Sequence, residues 1–149
     1  MAKFVYRMQN ILNLKQKIED QEKIAFATAM QVLNEEQDKL TSLLVRQAGY
    51  ESKLRELMSE AIDLDEITHT RQAINTMKHL VRDQMFAVQR AQASLEAARR
   101  RMEEATKERK MHEKLREHAF EDFKKELIAE DNKAIDQLVS FTYSPTRVR

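Results

Sequence analysis

A chain of 149 residues with one glycine, Gly49, and one proline, Pro145, has few ways to reverse its direction. Turns rely on the backbone freedom of Gly, the fixed φ of Pro, or the local side-chain bonds of Asn and Asp. A sheet protein turns every few residues, so this scarcity excludes one. The remaining sequence is rich in Ala, Glu, Lys, Arg, Gln, Leu and Met, the strong helix formers. Charged residues make up 34% and aromatics only 6%, the composition of long helices or coiled coils. The length fits a single domain, residues 1–149.

Charge and punctuation exclude several function classes. The net charge of +1 provides no bulk basic field for nucleic acid. The absence of Cys excludes disulfides and suits a reducing compartment. The start, KFVYRMQNIL (Lys3 to Leu12), has a cation before apolar residues, as a signal peptide does. Arg7, Gln9 and Asn10 interrupt it, and no small-residue cleavage site follows. No window approaches the roughly 18 uninterrupted apolar residues of a membrane span. These features predict a cytosolic protein without direct membrane insertion.

Apolar residues then recur at alternating spacings of three and four. One run holds Phe26, Ala29, Leu33, Leu40, Leu43, Tyr50, Leu54, Leu57 and Ala61, with polar Glu36 and Gln47 filling stations. A second holds Ile67, Ile74, Met77, Val81, Val88, Ala91, Leu95, Ala98, Met102 and Ala105, with Thr70 and Gln84. Each is the a/d stripe of a coiled coil. Between them Asp63 and Glu66 make a capping box, and Asp65 is a competing cap. The predicted fold is all-α: a rod-shaped, two-helix antiparallel coiled-coil hairpin whose open end carries both termini. Helix one covers about 3–61, the turn about 62–66 and helix two about 67–142, with a short basic tail after Pro145. Arms of about 60 residues would be about 90 Å long.

A reversal near Leu64 predicts that Tyr50 faces Met77, Leu54 faces Ile74, Leu40 faces Val88, Leu33 faces Leu95 and Phe26 faces Met102. Toward the termini the stripe shifts by about one residue, with Ile11, Ile18 and Ala25 on one helix and Phe120, Phe123 and Leu127 on the other. Such a shift changes the local supercoil. Phe4, Met8 and Ile11 then face Phe120, Phe123 and Leu127, while Val5 and Leu12 fall on other faces. Arg109 and His112 occupy seam stations near Lys15, Glu19 and Glu22, and Glu19 or Glu22 is predicted to approach Arg109.

Chemistry-bearing patterns are sparse. His69, His79, His112 and His118 form no His-x-x-x-His pair and lack an acidic third ligand at helical spacing. A two-helix rod has no pocket to exclude water. The sequence therefore predicts no catalytic residue, cofactor or metal site. The basic run RRRMEEATKERK (Arg99 to Lys110) reads as a solvated face with pairs Arg99–Glu103 and Arg100–Glu104, or as a surface for an acidic partner. Gly49 in mid-helix is either a tolerated defect or a place of close approach. A two-helix hairpin hides one stripe per helix, so lateral Leu44 and Leu80 either broaden the seam or lie exposed.

Several segments together resemble the FliJ family of flagellar export proteins. They are KFVYRMQNILNLK, EDQEKIAFATAMQVLNEEQDKL, the late Tyr50, and EHAFEDFKKELIAEDNKAIDQLVSF. Within them stand F-x-Y-x-x-Q-x-x-L (Phe4, Tyr6, Gln9, Leu12) and E-x-x-K-x-x-D (Glu130, Lys133, Asp136). Gln137 departs from the family, where an acidic residue commonly follows. The resemblance covers nearly the whole chain. It implies a non-enzymatic component of the type III export apparatus in flagellum biogenesis, similar to the central stalk of rotary ATPases. It implies binding and stimulation of the FliI-like export ATPase ring through Phe4, Tyr6, Gln9, Leu12, Glu130, Lys133 and Asp136. Leu43, Tyr50, Met77 and Leu80 would face the FlhA-like export gate, although Tyr50 and Met77 are equally seam residues. Export chaperones are further implied partners, and the implied location is the cytoplasmic face of the inner membrane at the flagellar base. The alternatives are a generic coiled-coil scaffold or tether and the stalk of a virulence type III system.

Overall fold

In the computed structural model, which describes residues 2–143, the chain forms two long α-helices. Helix α1 spans Gln9–Ser59 and α2 spans Leu64–Tyr143. The all-α, two-helix expectation holds. The predicted tail from Ser144 onward lies outside the described residues.

The start of α2 at the reversal has a local cause. The turn is four residues long, 60–63, and ends on Asp63. Asp63 Oδ1 accepts the backbone N–H groups of Asp65 (3.1 Å) and Glu66 (3.4 Å), which no helical carbonyl reaches. The Asp63 carbonyl takes the first helical bond, from Ile67 N–H at 3.1 Å. Asp63 is thus the N-cap, and α2 starts three residues before the expected 67. Glu66 forms only half of a capping box: its carboxylate instead lies 3.9 Å from Lys53 Nζ on α1. Helix α1 starts later than the expected residue 3. Gln9 N–H donates to the Tyr6 carbonyl at 3.2 Å, and residues 2–6 run without helix.

By its internal contacts the chain divides into two compact units: Gln21–Glu103, and the flanking segments up to Asp20 and from Glu104. In the first, α1 and α2 pair antiparallel about the turn. Ile74, Met77, Val81, Val88, Ala91 and Ala98 are buried on α2. Phe26, Leu33, Leu40, Leu43, Tyr50 and Leu54 are half-buried on α1. These are the predicted stations, so the seam follows the three-four spacing. Its register differs from the prediction. Leu40 opposite Val88 would put Gln84 opposite Leu44. Instead Gln84 Nε2 donates to the Glu36 carbonyl oxygen at 2.9 Å, eight residues earlier, and also to the Glu36 carboxylate. The earlier, shorter turn accounts for this: it moves the residues of α2 in this unit toward the N-terminus of α1. Arg101 Nε, 3.4 Å from Glu22 Oε2, agrees with the same displacement.

In the second unit the unshifted frame continues, and of the predicted shifted frame Ile18 and Phe123 are half-buried while Ile11, Phe120 and Leu127 are exposed. The buried or half-buried residues of α1 there are Gln9, Leu12, Lys15, Ile18 and Glu19; Leu12, Lys15 and Glu19 extend the spacing of Phe26, Ala29 and Leu33 backwards, and Ile18 sits beside it. Those of α2 include Ala105, Arg109, His112, Ala119 and Phe123, which extend the spacing of Ala98 and Met102. Leu12 is 3% exposed, whereas Met8 and Ile11 are 42% and 39% exposed. The expectation that Leu12 points elsewhere is therefore corrected. Apolarity marked the wrong stripe because charged residues occupy this seam. They can do so because they pair with one another.

Candidate interaction surfaces

The terminal unit holds a charged seam capped by an aromatic cluster. Arg109 Nε donates to both Glu19 carboxylate oxygens, at 3.0 and 3.1 Å, and its Nη1 to Glu113 at 2.8 Å. The bond to Glu19 holds the Arg109 guanidinium above its ordinary range. This is the approach that the sequence predicts. Beside it, Lys15 Nζ donates to Glu108 Oε2 at 2.7 Å, which lowers the Glu108 pKa. His112 Nδ1 is buried there without a hydrogen-bond partner.

Next to this seam, the start of the chain folds its aromatic ring onto α2. Phe4 packs edge-on against Phe120, with ring centroids 5.0 Å apart, and at a tilt against Phe123 at 5.4 Å. Offset and edge contacts of this kind match the ring quadrupoles. Arg116 Cζ lies 5.8 Å from the Phe4 centroid, and its Nε donates to Gln9 Oε1 at 2.9 Å. Gln9 Nε2 donates in turn to Asn13 Oδ1 at 2.9 Å. Arg116 escaped the sequence reading because one arginine in a charged helix carries no pattern. Its place on the three-four spacing after Arg109 and His112 is the signal that finds it.

The sequence-predicted residues of this end fall into two groups. Phe4, Tyr6 and Gln9 are half-buried and Leu12 is buried, all close to the start of α1. Glu130, Lys133 and Asp136 lie on a different stretch. Every described residue of α2 from 124 to 142 is exposed, and Glu130 follows Phe123 by seven residues, about 10 Å of helix. The two groups are therefore not brought together within this chain. Past Phe123 the apolar residues Leu127, Leu138 and Phe141 stand 36%, 66% and 76% exposed. A shallow depression beside them is lined by Phe4, Val5, Tyr6, Phe123 and Glu126, and Val5 is 75% exposed.

In the Gln21–Glu103 unit, Met77 is buried, Leu43 and Tyr50 are half-buried and Leu80 is 41% exposed. Three of the four predicted gate-facing residues thus contribute to the seam, and Leu80 faces outward. Met58, Ile62 and Leu64 make the turn an exposed apolar tip. Glu96 lies 3.3 Å from Arg99 and 3.7 Å from Arg100, in place of the predicted pairs with Glu103 and Glu104. The acid N-terminal to the base is the orientation that a helix favours. A Cβ added at Gly49 would meet nothing within 4 Å, so no packing within the chain requires that glycine. No helix among the described residues is long and apolar enough to cross a membrane.

Among solved structures the chain is similar to that of the YscO homolog CT670 from Chlamydia trachomatis. The TM-score is 0.55 at 21% identity, over 97% of this chain and 98% of that one. The likeness is one of fold. No match is found among curated proteins. Residues 4–147 match the family described as flagellar FliJ protein. With nearly its whole length matched, and the helical pair on which the match falls, this chain belongs to the FliJ family.

Proposed function

We propose that this protein is a non-enzymatic stalk of a type III protein export apparatus, acting by inserting its terminal end into the ring of the export ATPase. Family membership supports the export assignment. The single observation that carries the insertion reading is the exposed run of α2 from residue 124 to 142. Its apolar residues Leu127, Leu138 and Phe141 continue the seam side of α2 past the start of α1. Exposed apolar surface continuous with a seam calls for a partner, and a ring would enclose it on several sides. Phe4, Tyr6, Gln9 and Leu12 would set the angle of this end through packing, while Glu130, Lys133 and Asp136 would touch the ring. A helical pair can bias ring assembly or transmit torque with no chemistry of its own, and ATP hydrolysis stays in the partner. Leu80 would meet the export gate, and chaperones would be carried on the same body. The protein would then work at the cytoplasmic face of the inner membrane.

The test is a triple substitution, Glu130→Ala, Lys133→Ala and Asp136→Ala, assayed for stimulation of the purified export ATPase. These side chains are exposed, so helicity and thermal midpoint stay near wild type. The proposal requires that stimulation be lost. Wild-type stimulation by the variant would overturn it.

A further inference from the structure

The chain touches α2 before α1 begins. Residues 2–6 run without helix, a turn follows at Arg7 and Met8, and α1 starts at Gln9. Backbone bonds tie only the far side of this segment to α1: Gln9 N–H donates to the Tyr6 carbonyl at 3.2 Å, and Leu12 N–H to that of Met8 at 3.1 Å. Among the described residues no hydrogen bond or ion pair holds Ala2, Lys3, Phe4 or Val5. One side chain fixes them. Phe4 is half-buried while Ala2, Lys3 and Val5 are exposed, and its ring rests on Phe120 and Phe123 at 5.0 and 5.4 Å.

The site that Phe4 fills belongs to α2. Arg116, Phe120, Phe123 and Leu127 follow one another at four, three and four residues, so they share one face of the helix. Arg116 Cζ lies over the Phe4 ring at 5.8 Å, and Lys124 Nζ over the Phe120 ring at 4.7 Å. Phe123 is the last described residue of α2 that is not exposed, and Leu127, about 6 Å further along the axis, is open. The aromatic slot and the exposed run of α2 are therefore one continuous strip, and Phe4 covers its first turn. A partner lying along the strip from Leu127 toward α1 meets the Phe4 ring at once.

We propose that residues 2–6 are a displaceable strap. Phe4 plugs the slot on Phe120 and Phe123 in the free protein and yields it to the partner that closes on α2, swinging on the turn at Arg7 and Met8. Gln9 keeps its bond to Arg116 on the α1 side of that turn, so opening leaves the helix pair in place. The closed strap competes with the partner, which must supply its own apolar group to the slot. Only the identity of the competitor rests on the stalk reading; the strap itself is a property of this chain.

The chain has no Trp, so Phe4→Trp makes a lone fluorescent reporter. Its emission is that of a shielded indole, and acrylamide quenches it weakly. Arg116→Met in the same background shifts the emission to the red and raises the quenching, with helicity by circular dichroism unchanged. On heating, the emission shifts before the helices melt. Coincident changes in emission and helicity would overturn the strap, because they would make the segment part of the cooperative fold. The second measurement is the affinity of Phe4→Ala for the purified export ATPase. Only the open fraction binds, so removing a strap that is closed about nine-tenths of the time tightens binding about tenfold. Binding equal to or weaker than wild type would overturn the displacement, the weaker case making Phe4 a contact of the ring. If neither wild type nor variant binds the ATPase, the stalk reading falls, and the strap stands or falls on the heating curve.

Discussion

The Arg109 guanidinium grips Glu19 across the two helices, its Nε 3.0 and 3.1 Å from the two carboxylate oxygens. Glu19 is only 5% exposed. A carboxylate taken from water needs the full set of bonds that a planar, many-donor guanidinium offers. Arg109→Leu leaves that carboxylate buried with its main partner gone and lowers the thermal midpoint. Glu19→Leu with Arg109→Leu removes both charges and recovers most or all of the loss, since apolar pairs replace buried ion pairs well. Thermal unfolding of the two single variants and the double one checks this. A double variant less stable than either single one would show that the pair itself is a net stabiliser.

Gly49 stands in mid-helix with open space where a Cβ would sit. Gly49→Ala removes an entropic cost and stabilises the protein by about 0.5–1 kcal/mol. Urea unfolding with an unchanged slope and a higher midpoint checks it. A lower midpoint would mean that the glycine serves a contact outside this chain's own packing.

Asp63 caps α2 through two backbone N–H groups. Asp63→Ala costs about 1 kcal/mol, and Asp63→Ser retains most of the cap. Chemical denaturation of the two variants separates loss of the cap from loss of charge.

Acid destabilises the helix pair through two named carboxylates. Gln84 first, and Lys39 with it, lowers the Glu36 pKa from its ordinary 4.5. Lys15 does the same for Glu108, whose ordinary value is also 4.5. A group depressed in the folded state binds protons more readily when unfolded, so its contribution is complete above pH 4.5 and is lost as pH falls through the folded value. Thermal midpoints measured from pH 6 to pH 3 therefore fall. Glu108→Gln and Glu36→Gln each flatten that fall. An equal slope in both variants would assign the acid sensitivity to other groups.

The sequence by itself determined the helices and their partnership. One glycine and one proline left nothing but long helices. The three-four spacing of Leu33, Leu40, Leu54, Ile74 and Val81 fixed which sides meet, because apolar burial depends on the period of the helix. It also placed Arg109 near Glu19 or Glu22, of which the structure selects Glu19. The family motifs were legible in the same way, as residue types at fixed spacing.

Tertiary structure decided the register and the content of the terminal seam. Register depends on where the turn closes, and the Asp63 cap closes it a few residues earlier than the apolar pattern alone implies. In the terminal unit, Lys15, Glu19, Arg109 and His112 occupy the interface while Met8 and Ile11 stay exposed. Charge is a signal for solvent unless its partner is known, and a partner some ninety residues away in sequence becomes visible only when the two helices pack.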